Sequence, residues 1–514
     1  MKRKALVAIA FGAVMAMQVA HAQDARSVLQ GVAQNIGAEN LKTLQISGDR
    51  GWSGAPGGSY SAADDWPRFE VTSYSKQIDF NARFSRDQMS RQMGSYPKLG
   101  AGQGVPDQGQ QHIDFVLNGN TAWILSGGGA GPYDREGYMD GIPVAEMWQL
   151  DVIMTPHGFV KTALAQGANP VAVVTGPRGH HLSYVSITAL GKYHITAAIN
   201  ERNEIESVTT HVANPMFGDM LYEWRYGPYK QFGMVKYPTF IHHDEGDARL
   251  NPAHNTLEVR ISDVQANGPV QVITPTGAEK LPGESVSRIE SQKLAEGVWY
   301  VAGIRHASIA VEFRDFMAVV DADLNEKRAI AVIDEVHRLA PDKPIRYLVN
   351  THHHFDHSGG LRTYVAEGAT VVTNRSNREF YEKVVFSPAP RTLEPDRLSQ
   401  LNPDQLPNPV MELVGGKYVI SDGTRTLEVH ALPPYDHAAD MMVVYLPHEK
   451  ILINADIYEP PQKGGRPPKP SEGTRVLLET IERLGLDVSW DVGLHSGVGP
   501  HEDFVKLMGQ PSGN

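Results

Sequence analysis

The run Thr351-His352-His353-His354-Phe355-Asp356-His357-Ser358-Gly359-Gly360 constrains this chain more than any other feature. It follows directly on Ile345 to Val349, which reads as a buried strand. Alternate residues of an extended segment point the same way, so His352 and His354 can converge on one cation. Asp356 and His357 fall on the turn that follows and can reach a second. His353 and Phe355 point elsewhere and stay outside the ligand set. The plain alternative is a surface histidine tract that binds metal loosely. An acid inside the pattern, a buried strand before it and Gly-Gly after it argue against that.

Composition narrows the chemistry further. The chain contains no cysteine, so any metal is held by histidine and carboxylate, and neither a disulfide framework nor a thiol nucleophile is available. A net charge of -12 with dispersed Lys and Arg argues against a nucleic-acid partner. At 514 residues, 41% apolar and 21% charged, two packed domains are expected. Basic Met1-Lys2-Arg3-Lys4, an apolar run from Ala5 to Ala20 and the small-x-small site Ala20-His21-Ala22 read as a secretory signal peptide over 1–22, implying a periplasmic or secreted protein. The apolar run is short for a bilayer span, so no membrane span is expected after cleavage.

Residues 23–282 read as a mainly antiparallel β domain. Short alternating stretches bounded by Gly, Asn, Asp and Pro include Arg68 to Ser75, His112 to Asn118, Leu182 to Thr188 and Leu257 to Val264. Ile205 to His211 and Leu221 to Tyr226 flank a turn-rich link, Asn214 to Asp219, that fits a hairpin. Val144 to Gln166 reads as helix and loop. The layout loosely resembles half-barrel periplasmic carrier domains that cup a lipid, with no specific motif. Ile273 to Glu284 is the candidate linker.

Over residues 283–514 the rhythm changes. Val298 to Gly303, Ser308 to Phe313 and Phe316 to Val320 read as strands, and Asn325 caps a helix that Pro341 ends. Together with His-x-His-x-Asp-His and Gly-Gly, this half resembles the metallo-β-lactamase superfamily, which implies an αββα sandwich and an α+β chain overall. The resemblance implies three further ligands in order. His437, in Pro433-Pro434-Tyr435-Asp436-His437-Ala438-Ala439-Asp440, completes the first site; the competitor His430 lies inside a strand-like run and reads as a core histidine. Asp456, ending the apolar run from Ile451, is the bridging carboxylate. His495, in Leu494-His495-Ser496-Gly497, joins the second site, while His501 is expected to be exposed.

The set implied is His352, His354 and His437 on one ion, Asp356, His357 and His495 on the other, and Asp456 between them. Zinc is the default metal, with iron or manganese as alternatives. Such a pair implies a metal-bridging hydroxide that attacks a small-molecule substrate, with Asp356 taking the proton and Tyr458 as a candidate donor to the oxyanion. Since a bridging Asp is typical of superfamily members resembling glyoxalase II, lactonases and phosphodiesterases, an ester, lactone or related acyl bond is the expected target. Phosphate or sulfate esters follow, then β-lactams. A non-catalytic periplasmic lipid- or ligand-binding protein with a structural metal is the rival from another class. The Pro-rich insertions Phe386 to Pro409 and Pro460 to Pro470 are expected to border the active-site mouth, with Lys463, Arg466 and Lys469 as candidate anion contacts. The sequence leaves the oligomeric state open.

Overall fold

The computed structural model describes residues 24–509 apart from 95–98, 101–108, 127–128, 133–140, 169–171, 176–179, 247–253, 275–284, 388, 403, 405–410, 462–468 and 496. The expected signal peptide and most of the expected linker lie outside the described residues, as do Lys463 and Arg466. Among the described residues, no helix is long and apolar enough to cross a membrane.

Alternation builds the N-terminal half. In Gly218–Tyr226 every second residue, from Met220 through Tyr222 and Trp224 to Tyr226, is buried, so one face of the strand must be covered. Thirteen strands form one sheet, and its neighbouring strands pair antiparallel. Thr43–Gly54 lies at its middle, between Arg68–Asp79 and His254–Ala266. The first strand and the last are therefore neighbours, and the sheet is completed only when the whole half has been made. Gly51, at φ 154°, sits where a Cβ would lie 1.8 Å from the Glu258 carbonyl oxygen, so this pairing requires glycine.

The expected hairpin is present: Ile205–Asn214 pairs with Gly218–Tyr226, and the Asn214 side chain accepts from the amides of Met216 and Phe217. Val144 to Gln166 folds as two helices, Val144–Met154 and Pro156–Gln166. They break where Thr155 caps the second and Pro156 opens it. With Ala25–Ile36 these helices cover the apolar face of the sheet. The Tyr222 hydroxyl donates to Asp151 at 2.7 Å, Tyr226 to the Met154 carbonyl at 2.9 Å, and His157 to the Ile36 carbonyl at 3.0 Å.

The C-terminal half has two further sheets. One runs in chain order from Glu290–Ala295 to Met411–Val414, turning from antiparallel to parallel after Met317–Val320; the other runs from Lys417–Ser421 to Gly497–Pro500. Their facing sides share a dry layer in which Ile309, Val311, Val320 and Val349 meet Val429, Val444, Ile453 and Val492. Glu326–Leu339, capped by Asn325 as expected, packs outside the first sheet, and Glu472–Leu484 and His501–Met508 pack outside the second. The result is the expected αββα sandwich behind an antiparallel β half. One apolar cluster runs through both halves, joining Phe159, Val208 and Phe217 to Phe355, Leu361 and Ile333.

Three histidines buried in the N-terminal half give a test of this packing. Burial holds His157 near 4, His243 near 3 and His254 near 4, below their unfolded value of about 6.5. The unfolded chain therefore binds protons that the folded chain refuses. Their contribution is complete above pH 6.5 and is lost as pH falls toward 4. Thermal melts of the zinc-free protein should show a midpoint that declines steadily over that window, and less steeply in His157→Gln. A flat profile down to pH 4 would contradict the burial described.

Candidate metal centre

Every expected metal ligand comes from a strand end or a turn at one edge of the sandwich. His352 and His354 follow Ile345–Val349, and Asp356 and His357 lie on the single turn Phe355–Ser358. His437 lies in the link from Thr426–Ala431 to Met442–Leu446, Asp456 just beyond Ile451–Asn454, and His495 after Trp490–Gly493. The structure brings all seven together. His352, His354, His437 and Asp456 offer ligand atoms within 4.8 Å of one another, and so do Asp356, His357, His495 and an eighth residue, His306.

Asp456 joins the two groups. Its Oδ2 lies 3.4 Å from His352 Nε2, 3.5 Å from His437 Nε2 and 2.8 Å from His357 Nε2, while its Oδ1 lies 3.0 Å from His495 Nε2. Its backbone is left-handed, at φ 58°, a conformation that costs a non-glycine residue about 1–2 kcal/mol. Asn454 holds this turn: its side-chain oxygen accepts from the Tyr458 amide at 2.8 Å, and its own amide group donates to the Val492 carbonyl at 3.3 Å.

Outer contacts fix which nitrogen each imidazole turns inward. Asp321 accepts from His357 Nδ1 at 2.8 Å and from the Thr351 hydroxyl at 2.8 Å, and that hydroxyl lies 3.2 Å from His352 Nδ1. His357 and His352 therefore present Nε2. His354 Nε2 contacts the Ser59 carbonyl at 2.8 Å and must donate to it, which leaves Nδ1 for a cation. His353 faces away as expected, bonded at 2.8 Å to the buried carboxylate of Asp440.

The donor set fits a pair of cations. Burial, with the neighbouring imidazoles adding to it, lowers His352 strongly and puts His354 near 3, so both are neutral with lone pairs to give. Nitrogen faces nitrogen between His352 and His437, at 3.4 Å, and between His357 and His495, at 3.1 Å. Burial alone raises Asp456, but His495, His357 and His437 override it and hold the carboxylate well below its usual range. Burial lowers His495, but Asp456 outweighs that and brings it to about 9; His357 is likewise raised by Asp356 and Asp456. Without a cation the carboxylate charge is balanced by protons held on these two imidazoles, the condition that a divalent ion relieves.

Sequence reasoning missed His306 and Asp321. His306 lies between Val298–Ala302 and Ala307–Glu312, 3.2 Å from Asp356 Oδ2, and is held near 4 chiefly by burial. Its only signal was a histidine in a turn between two strands. Asp321, the acid that follows the strand Met317–Val320, carried a similar one. Tyr458 departs from expectation: its ring lies 4.9 Å from Phe504, it is 2% exposed, and it belongs to the apolar layer with Leu477 and Ile481. That position makes it a core tyrosine, and it is dropped as an oxyanion donor. His430 is a buried strand residue bonded to Glu428, as expected. His501 is not exposed but half-buried, 2.8 Å from Asp491. The insertion after Phe386 packs on the N-terminal hairpin, with Arg391 on the carbonyls of Asn214 and Met216 and Thr392 on Asp219. Lys469 is exposed.

Residues 310–488 match the family model described as the metallo-beta-lactamase superfamily. No curated protein matches the chain. Similar solved structures include a metallo-beta-lactamase from Pontibacter korlensis, 17% identical with a TM-score of 0.33, covering 43% of this chain and 100% of its own. A second, from Hirschia baltica, is 19% identical with a TM-score of 0.31, covering 43% and 95%. A third, the mono-zinc form of FIM-1 from Pseudomonas aeruginosa, is 18% identical with a TM-score of 0.31, covering 42% and 92%.

Metal uptake tests the site directly. Zinc-free protein titrated with zinc, cobalt or manganese should bind about two ions per chain. His437→Ala should keep only one at comparable affinity, and Asp456→Asn should weaken both by about tenfold or more, read by elemental analysis after dialysis and by chelator competition. Two tight ions retained in Asp456→Asn would contradict a shared carboxylate.

Proposed function

We propose that this chain, whose C-terminal half is a metallo-β-lactamase superfamily domain with candidate metal-binding clusters, is an exported zinc-dependent hydrolase acting on an ester, lactone or related acyl bond. The observation that carries the reading is Asp456, whose carboxylate lies within 3.5 Å of imidazoles of both groups, His352 and His437 on one side and His357 and His495 on the other. His352, His354 and His437 would hold one ion, His357, His495 and Asp356 the other, with Asp456 common to both. When bound, such a pair supplies a hydroxide near neutral pH and stabilises charge developing on a carbonyl oxygen.

The protein's own groups divide the remaining work. Side-chain exposure is 25% at Asp356 and 24% at His495 against 9% at Asp456, so substrate approaches from the side of the second group. Asp356 is there to take the proton of the attacking water. His306, kept neutral mainly by burial, donates to Asp356 Oδ2 and orients it. His352 and His354 are buried beneath these more exposed side chains.

Asp356→Asn should lower hydrolysis of a reactive aryl ester or lactone by about 100-fold or more while leaving the thermal midpoint within a few degrees. Undiminished turnover in that variant would defeat the assignment. Export is tested by mass spectrometry of the protein made with its full leader: the mature chain should begin at Gln23, and a retained Met1 would count against it.

One observation favours a second role for the N-terminal half, the capture of an apolar ligand. A cavity of about 330 Å³ lies between the sheet and Val144–Met154, lined by Phe115, Met147, Trp148, Met220 and Phe355, with Asp151 and Glu245 also on its wall. Ester substrates of increasing acyl length should show a falling KM if this cavity takes their tails.

A further inference from the structure

The metal centre is not built by the C-terminal half alone. Thr43–Gly54 leaves the N-terminal sheet and runs into residues 55–60, which reach across to both histidine loops of the first cluster. The Gly57 carbonyl accepts from the Phe355 amide at 3.2 Å, and the Ser59 carbonyl from His354 Nε2 at 2.8 Å. The Ser59 hydroxyl lies 3.1 Å from His353 Nε2, and the Tyr60 carbonyl accepts from the Ala439 amide at 2.8 Å, two residues beyond His437. Ser59 is 5% exposed, so these contacts are shielded from competing water.

We propose that the N-terminal β half is a working part of the metal centre, its 55–60 segment positioning His354, and with it the first ion, through the Ser59 carbonyl. The inference rests on the hydrolase reading for the presence of metal. It goes beyond that reading in giving the N-terminal half a task at the site. The chemistry is specific. An imidazole has two nitrogens, and which one faces the ion is decided by what the other donates to. With Nε2–H committed to a carbonyl, Nδ1 is the nitrogen left with a lone pair for the cluster that His354 forms with His352, His437 and Asp456. Without that carbonyl the ring is free to take the other tautomer or to rotate. A buried N–H left unpaired is unfavourable, so the ring is driven to reorient.

Gly57 sets how closely the segment approaches. It is left-handed, at φ 75°, and a Cβ there would lie 2.5 Å from the Phe355 ring. That ring is itself packed edge-on against Trp66, at 6.0 Å, and against Phe217, at 5.6 Å. Those two rings brace Phe355 from two sides, and a left-handed backbone strains any side chain at residue 57, so a substitution there displaces the segment from the histidine loop.

Two measurements test this on the full chain. In wild-type protein labelled with ¹⁵N-histidine, His354 should show a protonated, slowly exchanging Nε2 and an unprotonated Nδ1, both zinc-free and zinc-loaded; a protonated Nδ1 would overturn the proposal. In Gly57→Val, the affinity of one of the two zinc sites should fall by about 10- to 100-fold in chelator competition, with the other within threefold of wild type. A merely structural substitution would lower the thermal midpoint of the zinc-free protein and leave both affinities alone. Wild-type affinity at both sites in folded Gly57→Val would also overturn the proposal. Should Gly57→Val fail to fold, the wild-type tautomer decides. A wild-type protein that takes no zinc would sink the hydrolase reading, and the zinc-free tautomer would still decide this one.

Discussion

Asp456 presents one oxygen to His352, His437 and His357 and the other to His495, and the geometry of the C-terminal half is organised around that arrangement. Two sheets must be packed so that the loop after Ile345–Val349, from one, meets the loops after Thr426–Ala431, Ile451–Asn454 and Trp490–Gly493, from the other. The dry layer of Val, Ile and Leu between them fixes that meeting to within a side chain's reach. The left-handed turn at Asp456 adds local strain that the surrounding hydrogen bonds hold in place. A backbone conformation of this kind, at a residue whose carboxylate touches four imidazoles, is what a site maintained for chemistry looks like.

Electrostatics and packing pull in opposite directions here. Burial opposes charge at His352, His354, His357, His495, Asp356 and Asp456, yet two carboxylates lie within the centre and Asp321 and Asp323 lie just behind. His357 and His495 balance that charge when no cation is present. Two divalent ions would displace those protons, so affinity for metal should fall as pH drops through the range in which the imidazoles are protonated. Catalytic capacity and the cost of burial come from the same residues, and the outer acceptors Asp321 and Ser59 keep the rings from turning their protons inward.

The His352 to His357 motif was legible because it is local: a buried strand, a two-residue period and a turn place four ligands within six positions. His437, Asp456 and His495 were reached through resemblance, since nothing in their local spacing tells that distant strand ends converge. His306 was missed for the same reason, as one histidine in one turn carries no pattern. Tyr458 was misjudged because its closeness in sequence to Asp456 says nothing of direction, and the turn carries its ring outward to Phe504. In the N-terminal half alternation revealed individual strands such as Ile205–Asn214. Their order was hidden: Thr43–Gly54 lies against His254–Ala266 across more than two hundred residues, and only the folded sheet shows it. The contact from Ser59 to His354 is equally non-local, and it joins two halves that composition had separated.

The decisive property of the centre is one carboxylate shared by two ions. X-ray absorption at the zinc edge, combined with an anomalous-scattering map of the zinc-loaded protein, measures this directly. Two ions about 3.5–4 Å apart, each bonded to an oxygen of Asp456, are expected. A single ion, or two ions of which only one touches Asp456, would contradict it.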